Sequence, residues 1–206
     1  MSIPPPPATP SVTTPARPPA RRTPKLLAWA LTIAMLAAAW GLTQVTLPDD
    51  AALAPFVTAA TLGDPATARN LAVTVTDVRA ARTVTDAGGW SAEGTWVVVD
   101  LEAAAVVAQQ NARLTLVELV VGDRTYSATD RGTTFRGQSL VPGVPRSGAL
   151  AFELPADALT GTATLRLGAP GVASGAELDG VIEMTIDLDA LPVESEATIT
   201  ENGWAR

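Results

Sequence analysis

One uncharged run divides this chain: residues 26–47, LLAWALTIAMLAAAWGLTQVTL. Within its 22 positions only Thr32, Thr43, Gln44 and Thr46 are strongly polar. At about 1.5 Å of rise per residue the run makes a helix of roughly 33 Å, just over the ~30 Å hydrocarbon core of a bilayer. The sequence therefore predicts a transmembrane helix over 26–47. Residues 1–25 read as a proline-rich, disordered cytoplasmic tail and 48–55 as a linker. Residues 56–190 read as a β-sandwich and 191–206 as an acidic C-terminal tail.

Charge orients the helix. Arg17, Arg21, Arg22 and Lys25 precede it, and no acid occurs before Asp49. The positive-inside rule puts the N-terminus in the cytoplasm and the C-terminal domain outside, in a single-pass cell-membrane protein. Residues 1–24 hold nine prolines, so the tail reads as an extended, solvated spacer without a repeated docking motif, the alternative being a segment that docks an aromatic groove on a cytoplasmic partner. Ala37-Ala38-Ala39 offers a signal-peptidase site, which would make the mature chain a secreted one beginning at Trp40. The apolar run continues past that point to Leu47, and this length favours an uncleaved signal anchor. Along the helix Ala30, Ala34 and Ala38 form a small-residue ridge, and Gly41 adjoins Ala37 in another. Such ridges are candidate packing surfaces for a second membrane helix.

The part after the anchor carries ten basic and 21 acidic residues, a net −11. Nucleic-acid binding needs phosphates neutralised by Lys and Arg, so this balance disfavours it. The chain has no cysteine and no histidine. The domain therefore folds without disulfides, and the commonest general base and transition-metal ligand are both missing. The sole lysine, Lys25, lies before the anchor, which removes a Ser-Lys pair from the outer domain. Ser127, Ser139, Ser147 and Ser174 lack a nucleophile elbow and a base. Asp187 and Asp189 share a strand face but supply too few oxygens for calcium. Asp100, Glu102 and Glu118 read as surface carboxylates. The sequence thus assigns no catalytic residue, no cofactor and no metal.

Beyond residue 56 the apolar period falls to two. Strands are expected at 56–61, 71–78, 95–107, 114–121, 125–129, 148–154, 162–167 and 181–188, with a short helical turn near 156–159. Gly122-Asp123-Arg124 marks a hairpin, and the unbroken Trp96-Val97-Val98-Val99 a central strand buried on both faces. Short strands at this spacing indicate an all-β, antiparallel immunoglobulin-like sandwich behind the single helix.

The segments LAVTVTDVRAARTV, GTWVVVDLEA, LVVGDRTYSATD and LVPGVPRSGALAFELP carry a family resemblance. Its sharpest part is Leu140, Pro142, Gly143, Gly148, Leu150, Phe152 and Pro155. Over residues 56–189 the chain resembles the telokin-like immunoglobulin-fold domain of unknown function in bacterial exported proteins. In layout it is also similar to the secreted immunogenic immunoglobulin-like proteins of mycobacteria. The resemblance implies a sandwich and an extracytoplasmic location, and it implies no catalytic residues. Many such relatives are lipoproteins; this chain has no cysteine for a lipid and uses a helix instead. Lacking the antibody-type disulfide, it should pack Trp96 into an all-apolar core.

The functional expectation is a membrane-anchored, extracytoplasmic, non-enzymatic interaction module of the bacterial envelope. Its partner is a protein of the envelope or membrane, bound by sandwich loops or by an exposed strand edge. The alternative is a small-ligand-sensing ecto-domain acting through a membrane partner. Trp90, beside Gly88 and Gly89 in a loop, and Trp204, in a polar tail, are the candidate partner contacts. Tyr126 and Phe135 read as packing residues.

Overall fold

The computed structural model describes residues 25–45, 54–110, 112–170 and 179–205. The expected disordered tail, except Lys25, and most of the linker lie outside the described residues. The chain forms two compact units, 1–48 and 49–206.

In the first unit α1 runs Lys25–Val45, with no acid in its first turn and no base in its last. Eight large apolar side chains (Leu27, Trp29, Leu31, Ile33, Met35, Leu36, Trp40 and Leu42) are exposed along it, with exposed alanines between them. The side chains described run unbroken from Leu27 to Leu42. Among the described residues no helix is long and apolar enough to cross a membrane. The expected membrane span is a helix in the structure over Lys25–Val45.

The second unit is a two-sheet β-sandwich. One sheet has the order β1-β9-β8-β5-β6, built from β1 (Phe56–Ala60), β5 (Leu116–Val121), β6 (Arg124–Ser127), β8 (Thr162–Gly168) and β9 (Gly180–Asp187). The other is centred on β3 (Leu71–Thr85), β4 (Ser91–Ala105) and β7 (Arg146–Leu154). Short strands β2 (Ala66–Ala68), β10 (Val193–Glu194) and β11 (Ala197–Thr198) line the outer edge of β3, and β12 (Gly203–Trp204) lies on β7. Pairing is antiparallel except for β1 on β9 and β10 and β11 on β3.

Alternation on the long strands explains the inner core. Val97, Val99 and Leu101 of β4, with Leu150 and Phe152 of β7, face Leu119, Leu165, Ile182 and Met184 of the other sheet. Two irregularities in the β3–β4 register, at 75–77 and 81–83, reset which residues face inward. They carry β3 on to Thr85, seven residues beyond the end expected at Val78. At residues 156–159 the chain makes a turn closed by Ala158 N–H on the Pro155 carbonyl (3.0 Å), in place of the expected helical turn.

Trp96 packs into an apolar core, as expected, and the structure adds where that core lies. The side chain is fully buried, but on the outer face of its sheet, with Ala81, Val84, Val98, Ala149, Ala151, Ala197 and Ile199. The cover comes from residues 193–204, expected as a tail. After pairing with β3 the segment crosses to β7 as a strap, placing Ile199 under cover (1% exposed). The Arg79 guanidinium donates to the Thr198 carbonyl (3.1 Å), and the Thr200 hydroxyl donates to Asp100 (2.8 Å). The Asn202 amide donates to the Thr134 carbonyl at 3.0 Å.

The family-like motif has structural duties. Pro142 and Gly143 occupy the two central positions of a turn closed by Val144 N–H on the Val141 carbonyl (3.3 Å). Gly143 has φ of 68°, which the third position of a type II turn requires. Leu140, Leu150 and Phe152 are core residues.

Candidate interaction surfaces

The sandwich has two dissimilar ends. At the entry end β1 begins and β4 finishes, with Phe56 opposite Gly180, Leu71 opposite Ala105 and Leu116 opposite Gly168. At the far end are the loops around 86–90, 122–123, 129–133, 155–161 and 188–191.

Trp90 is at the far end. The turn before it is built on Asp86, whose carboxylate accepts from Trp90 N–H (2.8 Å), Thr133 N–H (2.9 Å) and the Thr133 hydroxyl (3.1 Å). These bonds, that from Trp90 foremost, hold the Asp86 carboxyl below its ordinary value, overcoming an upward push from burial. Trp90 stands edge-on to Trp96, with centroids 6.0 Å apart and planes at 88°. The Arg131 guanidinium lies 5.7 Å from the Trp90 ring and 5.9 Å from that of Trp96. Trp90 is thus half-buried, and its ring closes the outer core.

The far end also holds an open groove of about 480 Å³, lined in part by Asp123, Arg124, Tyr126, Asp157 and Thr162. Tyr126 packs against the inner core, and its buried hydroxyl has no hydrogen-bond partner. Beside the groove, β6 ends its sheet and pairs only with β5. Their connection is two residues long, with Gly122 at φ 56° where a mirror-image hairpin turn needs a positive value. In such a hairpin the pair flanking the turn, Val121 and Arg124, is the hydrogen-bonded one. Alternation then points the backbone groups of Thr125 and Ser127 outward, along an edge where Arg124, Thr125 and Ser127 are exposed.

Trp204 is at the entry end, 63% exposed. Its β12 pairing sets it opposite Arg146, whose guanidinium lies 5.5 Å from the indole centroid. Phe135 is fully buried, as expected of a packing residue. Ala30, Ala34 and Ala38 are exposed on one side of α1, and a methyl group added at the adjoining Gly41 would meet nothing within 4 Å.

Among the described residues no group of three or more acids, cysteines or histidines is placed to hold a metal ion. Asp187 and Asp189, the pair weighed for calcium, serve the local backbone. Asp187 accepts from Asp189 N–H (3.1 Å), and Asp189 accepts from Gly161 N–H (3.0 Å). Mid-sheet, Arg79 bridges Asp77 and Asp100 and approaches Glu194 of the strap. Burial works to lower its pKa, but the hydrogen bond and charge of Asp100 prevail and raise it.

No family model matches the chain, and no curated protein matches it. Among solved structures it is similar to the crystal structure of the yjhA protein from Bacillus subtilis. The match has 15% identity and a TM-score of 0.41, over 60% of this chain and 98% of that one. A likeness at that level fixes neither fold nor function.

Proposed function

We propose that this chain is a single-pass envelope protein, anchored by α1 with its N-terminus cytoplasmic, whose outer sandwich is a non-enzymatic module that binds a protein partner. A helix apolar on every side needs either a protein interior or a bilayer around it. The sequence continues that apolar character to Leu47, and α1 runs six residues past the alternative cleavage point at Ala39. The basic residues before the helix supply the orientation. We read the sandwich as immunoglobulin-like. Taking β3, β4 and β7 as strands A, B and E, and β5, β6, β8 and β9 as C, C′, F and G, reproduces the immunoglobulin division between sheets without a D strand. That division, together with the motif around Pro142 and Gly143, supports kinship with the telokin-like exported domains.

The observation that carries the binding role is the open β6 edge. Each edge of the other sheet carries short added strands, whereas β6 leaves outward-facing backbone groups beside a groove. An extended segment of a partner fits there as an added strand. Photo-crosslinking in cells from position 127 is expected to trap one specific protein. Thr125→Pro removes an outward N–H without a β5 bond, and should abolish the trapping while leaving the thermal midpoint nearly unchanged. Trapping that survives Thr125→Pro in a folded variant would overturn strand addition. In the ligand-sensing alternative a small polar molecule would occupy the groove, whose lining includes Asp123, Arg124 and Tyr126. A Tyr126→Phe variant that loses such a ligand while keeping partner capture would select it.

A further inference from the structure

The entry end of the sandwich concentrates apolar surface. Of the seven large apolar side chains exposed among the described residues of this unit, six lie there: Phe56, Val57, Val106, Val107, Val144 and Trp204. Strand pairing and backbone hydrogen bonds join them into one surface. Trp204 lies opposite Arg146, and Gly143 N–H reaches the Ala105 carbonyl (3.1 Å). Val106 N–H reaches the Asn70 carbonyl at 3.3 Å. Arg69 pairs with Asp179 (3.6 Å), which precedes Gly180 opposite Phe56.

The exposed valines are held in place. The Asn70 carboxamide oxygen accepts from Val107 N–H (2.7 Å) and Ala108 N–H (3.0 Å), and its amide donates to the Ala108 carbonyl (2.9 Å). This fixes Val107 with 74% of its surface in solvent. Three hydrogen bonds spent on presenting a valine to water call for something other than water in front of it.

Charge identifies the occupant. The described residues at the entry end include Arg69, Arg113 and Arg136, with Arg146 at the start of β7, against Asp179, Glu201 and Glu102. The rest of the domain is strongly acidic, so this end is its basic pole. An exposed Trp, aliphatic side chains and arginines together are the chemistry of a lipid interface. The ring and alkyl groups enter the headgroup boundary, and the guanidinium groups stay at phosphate level. In sequence, Phe56 at this end follows the last residue of α1 by eleven positions.

We infer that the entry end of the sandwich lies on the outer membrane–water interface, with Val107, Val144 and Trp204 in the headgroup layer and the acidic far end turned outward. The inference rests on the anchored reading given above. It also gives Trp204 a lipid contact in place of a protein one, and leaves β6 and its groove free for the partner.

The test uses the full chain, which has no cysteine, in vesicles of phosphatidylcholine and phosphatidylglycerol. Spin labels are placed separately at Val107→Cys and, at the opposite end, Asp123→Cys; both positions are exposed, so the fold tolerates them. The label at 107 should show high oxygen and low nickel-chelate accessibility, and the label at 123 the aqueous reverse. Val144→Asp with Trp204→Ala should shift the label at 107 toward the aqueous ratio. Flotation with equally aqueous labels at both sites overturns the inference and leaves the anchor intact. Dipolar broadening at 107 assigns the surface to a second copy and overturns it too. Failure to float with the vesicles overturns both readings.

Discussion

On one face of the β3–β4–β7 sheet, Val97, Val99, Leu101, Leu150 and Phe152 meet a second sheet. On the other face, Trp96, Val98, Ala149 and Ala151 meet a strap with only Ala197 and Ile199 buried beneath it. The first burial is sheet on sheet, built from alternating strands on both sides. The second is one ribbon of chain whose remaining residues are polar apart from Gly203 and the exposed Val193 and Trp204, so it depends on side-chain anchors at its margins. The two cores therefore differ in what must break to expose them. The inner core is lost by global unfolding, whereas the outer core can open when one segment peels away.

The largest effect expected is that of Phe152→Ala, about 3–5 kcal/mol of global stability from the lost ring and the cavity left behind. It should lower the whole unfolding transition in calorimetry. Ile199→Ala should cost about 2 kcal/mol, the low end for such a truncation, because the strap can settle into the gap. Its signature is local: hydrogen exchange should speed up at residues 197–204 while the β4 and β7 amides keep their protection. Uniform acceleration would show that the two cores melt as one and would break the comparison.

Arg79→Ala removes a guanidinium 13% exposed in its side chain and leaves Asp100 with the Thr200 hydroxyl alone. A cost of about 1–2 kcal/mol is expected, again with faster exchange in the strap. Trp204→Ala removes an exposed cation–π contact, which costs below ~1 kcal/mol, so thermal melting in solution should barely move. The finest test is in acid. Asp86 has a folded pKa below its ordinary 3.8, so its stabilising contribution is complete above that value. It is lost as pH falls through the lower folded value. Asp86→Asn should flatten that part of the acid limb, and an unchanged limb would remove Asp86 as the clasp of the Trp90 turn.

The sequence made the middle of the fold legible and its periphery obscure. Trp96-Val97-Val98-Val99 can only be a strand with both sides covered, and the second sheet was readable from alternation such as Ile182, Met184 and Ile186. What covers Trp96 was not readable. VESEATITENGWAR is acidic and polar, and Ala197 with Ile199 is too brief an alternation to mark a buried segment. The far half of β3 was hidden for another reason: irregularities near Thr76 and Arg82 break the period. At the surfaces, Trp90 stands beside glycines in a loop, but sequence could not show that its ring is turned onto Trp96. The entry-end cluster was invisible because Phe56, Val107, Val144 and Trp204 are scattered across 149 positions and meet only through strand pairing.

The strap also fixes an order of events. Its contacts reach back to partners 119 and 100 positions earlier in the chain, Thr198 to Arg79 and Thr200 to Asp100. Closures over such separations are slow, and this segment is synthesised after every strand it covers. Until it arrives, Trp96 and two strand edges stand open at once, a surface suited to unwanted pairing between nascent copies. The outer core therefore closes late, and the vulnerable interval lasts until residues 193–204 are in place.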